Sequence, residues 1–435
     1  MKKILIPAVA LGALISAVEA KAAGYHLSEY TTTGLGRSFA GVGVMGDDYS
    51  AIGFNPAGMQ YNAKSGGQVG ITMVSLHTDY KGTIGSPNDM TLGGNGRPTS
   101  TGVKTGRGHT RPTRVLPNVF AQQKVNDKMT FGIGAYVPYG LATDYENGWF
   151  GEGHAGLSQV SAVNVSPSLS YQITDTVALG AAVNIQYISA RLTSGTETGG
   201  ITFDGVTNNL EGDDVGVGYT LGMTFTPRKD VRLGVSYRSK IKHKLEGDLK
   251  RTGVTPAFGQ ISQGRLANGN TDIFTKITTP EVITFSGAWD MNRCFTLTGI
   301  ARYTRWTQFD DLDIYSKEDG SAVLKTNENW KNTWYTAIGL DYRRNQNWTF
   351  RTGIGYDQTV IRSPEFRTVR IPDGRRVLTS LGLSYKKNNW QIDAGYMHIF
   401  IHGAHGYHGS EGASKMDMKY TSSADLVSFG VQYKF

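Results

Sequence analysis

The sequence predicts an all-β protein, a transmembrane antiparallel β-barrel of about fourteen strands with an N-terminal plug in its lumen. Three observations support this fold class. Apolar and polar residues alternate with period two in segments of strand length, down to the last residue. The connections between these segments are alternately short and long. After the N-terminus, no stretch approaches the ~20 apolar residues that a membrane-spanning helix needs.

Each alternating segment separates an apolar face from a polar one. In residues 348–357, apolar side chains fall on one face, and Arg, Gly, Thr and Asp fall on the other; residues 215–226 and 231–238 repeat the pattern. The mixture of charge and glycine predicts a water-lined lumen, and the Trp and Tyr at the ends of apolar faces predict aromatic girdles. The composition agrees, with 56 Gly, 39% hydrophobic and 11% aromatic residues, because a polar lumen face lowers the mean hydropathy.

Fourteen segments qualify as strands, and bacterial single-chain barrels have an even number. They are 66–78, 112–124, 128–139, 157–172, 176–192, 214–226, 230–246, 273–289, 294–308, 331–343, 347–360, 376–386, 390–402 and 419–435. Short polar turns such as "VND" and "KKNN" alternate with long connections rich in Gly, Thr and Asn. This alternation predicts periplasmic turns and external loops, with both termini on the periplasmic side.

The N-terminus has the pattern of a cleaved Sec-type signal peptide, residues 1–22. Lys2 and Lys3 precede an apolar run, and Ala20-Lys21-Ala22 fits the cleavage rule, so the mature chain is predicted to begin at Ala23. The protein is therefore expected in the outer membrane of a Gram-negative bacterium. Removing three Lys and one Glu with this peptide lowers the net charge from +8 to +6. A net charge of this size does not indicate which kind of partner the protein binds. Nucleic acid is not an expected partner.

Residues 23–62 precede the predicted barrel, residues 63–435, and show no sustained alternation. They mix glycines with apolar residues such as Phe39, Ile52 and Met59, which is not the composition of a solvated tail. We therefore predict that this segment folds into the lumen as a plug, or hatch.

Within the predicted plug, Asn55-Pro56-Ala57 is interpreted as a rigid corner where the plug meets the barrel wall. Pro56 has a fixed φ and no backbone N–H, and it biases Asn55 away from the helical region. Asp47 and Asp48 lie just before this corner and are the polar groups available to anchor it.

Several motifs carry a resemblance to a known family. The plug sequence "AGYHLSEYTTTGLGRSFAGVG", followed by "DD" and "NPA", is similar to the mature N-terminus of the FadL family of long-chain fatty acid transporters. The likeness recurs over the whole mature chain. Further matching segments are 139–145, 237–248, 303–312, 347–361 and 371–385. The aromatic Phe435 at the end of the last strand looks like the assembly signal of outer-membrane proteins.

The resemblance implies a fourteen-stranded barrel closed by a hatch, and passive uptake of hydrophobic compounds, most of all long-chain fatty acids. A water-filled pore offers an acyl chain no apolar surface, whereas each methylene buried in an apolar pocket gains ~0.8 kcal/mol. Alternatives are a transporter of neutral hydrocarbons or aromatics, and a surface adhesin or receptor that displays loops. An enzyme is not expected, since no convincing catalytic group stands out.

Release sideways into the bilayer requires a break in the wall. Pro138 removes a hydrogen-bond donor from the third strand and Gly140 permits a bend, and the resemblance places a strand kink at "YGLAT". The simpler interpretation is a strand end at the external rim.

A fatty acid head group calls for a cation inside the barrel. Arg191, at the outer end of the fifth strand, is the first candidate, and Arg351 and Arg232 on polar faces are the alternatives. Before "YGLAT" this chain carries Val137-Pro138 where the family's fatty-acid members carry polar residues. An acidic and a neutral ligand therefore both stay open.

No metal or cofactor is predicted. His398, His402, His405 and His408 have a spacing that could ligate a metal, but no acidic partners are expected nearby. The single Cys294 excludes an intramolecular disulfide and a Cys-based metal site. The expected partners are the hydrophobic ligand, lipopolysaccharide or other outer-membrane lipid, and the barrel assembly machinery, with a monomer as the expected state.

Overall fold

The computed structural model describes residues 24–198, 200–309, 311–408 and 416–435. The predicted signal peptide and Ala23 lie outside the described residues. None of the helices among the described residues has the length and apolar character needed to cross a membrane.

The described residues form one β-sheet with a few short helices. The strands are β1 Gly66–Ile84, β2 Met90–Leu92, β3 Pro98–Thr101, β4 Lys104–Thr110, β5 Thr113–Lys124, β6 Met129–Asp144, β7 Leu157–Thr174, β8 Val177–Thr198, β9 Ile201–Arg228, β10 Val231–Arg238, β11 Ile241–Thr252, β12 Gly269–Thr279, β13 Val282–Asp290, β14 Phe295–Thr304, β15 Ile314–Ser316, β16 Ala322–Leu324, β17 Thr333–Arg343, β18 Trp348–Asp357, β19 Arg375–Lys387, β20 Trp390–His408 and β21 Met416–Lys434. The α-helices are α1 Thr32–Leu35, α2 Ala51–Phe54 and α3 Pro256–Ile261. Short 3₁₀ helices occupy Pro56–Tyr61, Trp306–Gln308 and Pro364–Phe366.

The sheet closes into an antiparallel barrel with fourteen strand positions around it, which confirms the predicted fold class. Neighbouring positions pair in chain order, and β1 pairs with β21 from Gly66↔Lys434 to Ile84↔Met416 to complete the ring. Two predicted strands are each divided in two. Residues 230–246 form β10 and the first half of β11. Residues 273–289 form most of β12 and then β13, separated at Pro280, which has no N–H to donate to a neighbour.

The outward faces of the barrel strands expose large apolar side chains, as expected of a surface that meets lipid. Trp390 and Tyr433 form a contact pair near the periplasmic end, with ring centroids 4.7 Å apart. On β9 the outward apolar run extends from Phe225 to Val215, and Asp213 and Glu211 follow it toward the external loops.

Residues 24–62, which we call the N-terminal segment, pack against inward-facing residues around the barrel wall. Inward glycines make this approach close, because a Cβ on any of them would lie less than 3 Å from an atom of the segment. They are Gly132 on β6, Gly180 on β8, Gly222 on β9, Gly234 on β10, Gly339 on β17, Gly353 on β18, Gly382 on β19, Gly395 on β20 and Gly430 on β21. The lumen at this level is therefore filled by the chain itself. The expectation that these glycines line water is corrected.

The segment also contacts the place where the first and last strands meet. Thr32 Oγ1 lies 2.8 Å from Ser428 Oγ on β21, which in turn lies 2.8 Å from Thr72 Oγ1 on β1. Thr72 donates from the same oxygen to the carbonyl of Glu29 at 2.7 Å. One hydroxyl cluster thus joins three parts of the chain that are far apart in sequence.

The glycine contacts predict that Gly180→Ala loosens the N-terminal segment. A Cβ at this position would lie 2.2 Å from the backbone N of Ala57, so the segment must shift, at a cost of about 1–3 kcal/mol. The temperature at which the folded, fast-migrating form is lost in detergent gels should fall. Gly299→Ala is the matched control, because its nearest neighbour is at 3.9 Å. Equal melting of both variants would contradict the prediction.

Candidate hydrophobic-ligand site

A buried ion cluster fixes the N-terminal segment to the barrel wall. Arg37 of the segment lies 2.8 Å from Asp47 and 3.0 Å from Asp341 on β17, and Arg351 on β18 lies 3.1 Å from Asp47. Both guanidinium groups are almost completely buried. Burial alone would raise the pKa of Asp47, but the positive charges of Arg37 and Arg351 outweigh it and hold this pKa well below its usual range.

The other residues singled out in the segment form hydrogen bonds within the segment and to the wall. Asp48 accepts hydrogen bonds from Thr31 and Thr33 at 2.5 and 2.7 Å, which holds the two halves of the segment together. Asn55 Nδ2 donates to the carbonyl of Met223 on β9 at 3.1 Å, and Asn55 Oδ1 accepts from the N–H of Ala57. Asn55-Pro56-Ala57 therefore lies against the wall, facing Gly180 and Gly222.

The third barrel strand, β6, leaves its neighbour at the predicted kink. Pairing of β5 with β6 ends at Val119↔Ala135, and the register of β6 with β7 shifts between Tyr136 and Tyr139. From Tyr136 to Thr143 every residue is buried, so the alternation of inward and outward faces stops. We call the stretch in which β5 and β6 are not paired with each other the β5–β6 gap.

The start of the N-terminal segment pairs with β6 in this gap. The N–H of Leu27 donates to the carbonyl of Pro138, and the N–H of Gly140 donates to the carbonyl of Tyr25, each at 2.8 Å. His26 thereby lies opposite Tyr139 as an antiparallel bridge. Pro138 and Gly140 are thus the backbone positions where the wall meets the segment, rather than a strand end at the rim, because β6 continues to Asp144.

An apolar chamber lies in the outer half of the lumen, between the wall and the external segments around residues 306–309 and 312–314. A pocket within it has about 430 Å³ of space between atoms, part of which is open to solvent. Its aliphatic lining includes Leu192, Leu210, Leu245, Ile273, Ile277 and Ile314. Such a cavity offers hydrocarbon an environment that a wet pore does not.

An aromatic group forms one side of this chamber. Tyr25 packs edge-on against Trp306 at 4.8 Å and Phe309 at 5.4 Å between ring centroids, and Trp306 packs against Trp330 at 5.1 Å. The Tyr25 hydroxyl donates to the carbonyl of Thr278. The beginning of the N-terminal segment is therefore itself part of the chamber wall.

Buried donors without partners lie where the chamber meets the rest of the segment. Arg238 Nη2 donates to the Tyr30 hydroxyl at 3.1 Å and to the carbonyl of Gly53, while its Nε and Nη1 have no hydrogen-bond partner among the described residues. Arg302 donates to Ser28, and its Nε is likewise without a described partner. Burial, together with the charges of Arg302 and Arg238, holds the pKa of His26 well below its ordinary value. A negatively charged group such as a carboxylate would accept hydrogen bonds from several donors here.

The three arginines predicted for a head group lie elsewhere. Arg191 is on the outward face of β8, paired with Glu211 at 3.1 Å, so it does not line the lumen. Arg351 belongs to the ion cluster with Asp47. Arg232 is paired with Asp290 and donates to the carbonyl of Met45 toward the periplasmic end. These predictions are corrected: Arg191 is at the outer end of its strand but faces away from the lumen, and carboxylates already pair with the other two.

The histidines also differ from expectation, because two of them have acidic partners. His398 Nδ1 lies 2.8 Å from Asp425 Oδ1, and His405 Nε2 lies 2.8 Å from Asp417 Oδ1. His402 is exposed, and His408 ends β20. Within the part of the chain that the structure describes, no group of three or more His, Cys, Asp or Glu side chains is placed to hold a metal.

Comparison with known proteins identifies the family. The model of the outer membrane protein transport family (OMPP1/FadL/TodX) matches residues 13–435. The chain belongs to this family. The resemblance of its motifs is thereby confirmed, and the protein is integral to the outer membrane. Members of this family are transport channels.

Individual relatives cover nearly the whole chain. It is 26% identical to the long-chain fatty acid transport protein of an Escherichia coli O6:H1 strain, over 90% of each chain. It is 26% identical to outer membrane protein P1 of Haemophilus influenzae, over 92% of this chain and 90% of that one. A crystal structure of a Pseudomonas aeruginosa FadL homologue shares the fold, with a TM-score of 0.84 at 24% identity, over 95% of this chain and all of that one.

The ion cluster predicts that Asp47→Asn loosens the segment at every pH. The pKa of Asp47 is depressed in the folded state, so its stabilisation is present above the unfolded value of ~3.9 and is lost only as the pH falls through the folded value. In planar bilayers the unmodified protein should therefore keep the same low conductance from about pH 8 to about pH 5. Asp47→Asn should leak throughout, because removing one partner of a buried pair costs about 3–5 kcal/mol.

Asp230→Asn is the control for this experiment, since Asp230 pairs with Arg228 in an exposed turn. It should conduct as the unmodified protein does. A conductance of the unmodified protein that rises between neutral and mildly acidic pH would contradict the role given to Asp47.

Proposed function

We propose that this protein takes up long-chain fatty acids passively across the outer membrane. The acyl chain occupies the apolar chamber and the carboxylate binds at Arg238 and Arg302. The observation that carries the proposal is that buried guanidinium N–H groups of Arg238 and Arg302 lack partners among the described residues, in a lumen that also holds an apolar cavity. Each methylene that is buried contributes ~0.8 kcal/mol before the costs of binding, and the charge-assisted hydrogen bonds select an acid.

In this proposal the N-terminal segment is the hatch, a unit distinct from the barrel that follows it. The ligand displaces residues 25–27 from the β5–β6 gap and leaves sideways toward the bilayer. Tyr25 supports the coupling, because it both lines the chamber and pairs with Gly140. The ion cluster around Asp47 keeps the periplasmic part of the hatch in place while the outer part moves, so that the barrel does not become an open pore.

A neutral aromatic hydrocarbon is the second candidate. The aromatic group around Tyr25 favours it, since aromatic rings pack favourably in edge-to-face and offset-stacked arrangements. The toluene transporter TbuX of Ralstonia pickettii has a related fold, with a TM-score of 0.64 over 94% of this chain and 99% of that one.

The proposal is tested by uptake of radiolabelled hexadecanoate and of toluene into cells with and without the gene, and by calorimetry on the purified protein. We expect gene-dependent uptake of the acid and binding of it. Uptake of toluene alone would establish the second candidate. The absence of both uptake and binding of the acid would overturn the proposal.

The head-group assignment predicts that Arg238→Lys weakens binding of hexadecanoate by about tenfold, because Lys lacks the planar fork of donors. Hexadecanol, which has the same chain without the charge, should bind as before. Arg191→Lys is the matched control, since Arg191 faces outward, and it should change neither affinity. An equal loss for acid and alcohol would mean that Arg238 acts only through the fold.

A further inference from the structure

The barrel wall has a second interruption, between β9 and the strand pair β10–β11. Pairing of β9 with β11 ends at Glu246↔Asp213, and pairing of β9 with β10 begins at Arg238↔Thr220. Residues 214–219 of β9 and residues 239–245 are thus not paired with each other in either ladder, although 214–219 pair with β8 and 241–245 pair with β12 on their other sides. One side has one more residue than the other, so the two ladders differ in register by one. We call this stretch the β9–β11 seam.

The seam lies at the outer edge of the lipid-facing band. On β9 the outward side chains along it are apolar or aromatic (Val215, Val217 and Tyr219), whereas on the facing stretch they are Lys240, Lys242 and Lys244. On the β9 side, where the wall faces lipid, backbone N–H and C=O groups have no water to bond, so a missing ladder is costly there. An interruption at this depth therefore needs a compensating arrangement or a use.

Side chains compensate for it at both ends. Ser239 exchanges two hydrogen bonds with Tyr219, through its backbone N–H and its hydroxyl, each at 2.9 Å. At the other end the N–H of Lys244 donates to Asp214 Oδ2 at 3.3 Å. These bonds fasten the ends of the seam and leave its middle without backbone pairing across it.

Two side chains close the middle of the seam. Ile241 and His243 lie over Gly216 and Gly218, where an added Cβ would be about 2.5–2.6 Å from them. His243 is held by Asp214 at 2.9 Å and by Gln186 at 3.0 Å. The closure is thus made of rotatable side chains over glycine, whereas the β5–β6 gap is closed by paired backbone.

The apolar cavity begins directly beside the seam. Gly212 of β9 and Leu245 of β11, which border the unpaired stretch, both belong to its lining, and Ile277, the partner of His243 on β12, does too. Ile241, His243 and the two glycines therefore lie in the part of the wall directly beside the apolar cavity.

We propose that the β9–β11 seam is a second lateral opening, through which a hydrophobic molecule exchanges between the cavity and the surrounding lipid. Ile241 and His243 are its movable closure. Opening needs rotation of these side chains and release of the Asp214 and Gln186 contacts, and it leaves the N-terminal segment in place. This inference rests on the proposed function, since it assumes that the cavity binds such a ligand.

The test cross-links the seam with a cleavable bifunctional thiol reagent in a Cys294→Ser background. Extending the register of β9 with β11 beyond Glu246↔Asp213 places Val217 opposite Lys242, and both side chains face outward. Cross-linking the V217C/K242C variant therefore locks the seam. L221C/Y237C is the matched control, because these residues already pair on the same side of β9. Protein in liposomes is loaded with pyrene-labelled hexadecanoic acid, and the rate of transfer to the bilayer is measured after folding has been checked in detergent gels.

Locking the seam should slow transfer by about fivefold or more, and cleaving the reagent should restore the rate, while the control lock leaves it unchanged. An uncross-linked I241A/H243A variant should transfer faster. If the cross-linked variant binds the labelled acid normally and transfers it at an unchanged rate, the role of the seam is overturned and the proposed function is not. Failure of the unmodified protein to bind the labelled acid would overturn the proposed function and the seam with it.

Discussion

The buried ion cluster of Arg37, Asp47, Arg351 and Asp341 is the interaction on which the rest of the structure depends. Two positive and two negative groups, all largely withdrawn from water, compensate one another across the boundary between the N-terminal segment and the wall. Breaking any one pair leaves a charge buried without compensation. The segment is therefore held at one position, and the glycines around it can approach the chain closely because that position does not vary.

A fixed segment explains why the wall tolerates interruptions. A closed barrel normally satisfies every backbone group through its neighbours. Where β6 departs from β5, residues 25–27 supply the missing partners, and where β9 departs from β11, Ser239 and Asp214 do so at the ends. The charged half of the lumen thus fixes the segment, and both interruptions of the wall lie beside the apolar half.

The sequence predicted the barrel well and its interior poorly, for a physical reason. Alternation reports which residues share a face, so the fourteen strand positions followed from it, whereas the kink was predicted from Pro138, Gly140 and the family resemblance. It does not report what lies opposite that face. Gly353 and Arg351 looked like the lining of a wet pore, yet they contact Arg37 and Asp47, which are distant in sequence. Arg238 and Arg302 lay on inward faces too, but only the contacts reveal which guanidinium groups lack a carboxylate.

The hydroxyl cluster of Thr32, Ser428 and Thr72 has a consequence for biogenesis. Its members belong to the N-terminal segment, the last strand and the first strand, so this docking position comes into being only when the two ends of the sheet meet. An incompletely zipped sheet offers the segment just part of its binding surface. The segment therefore finds its complete docking surface only once the ring has closed.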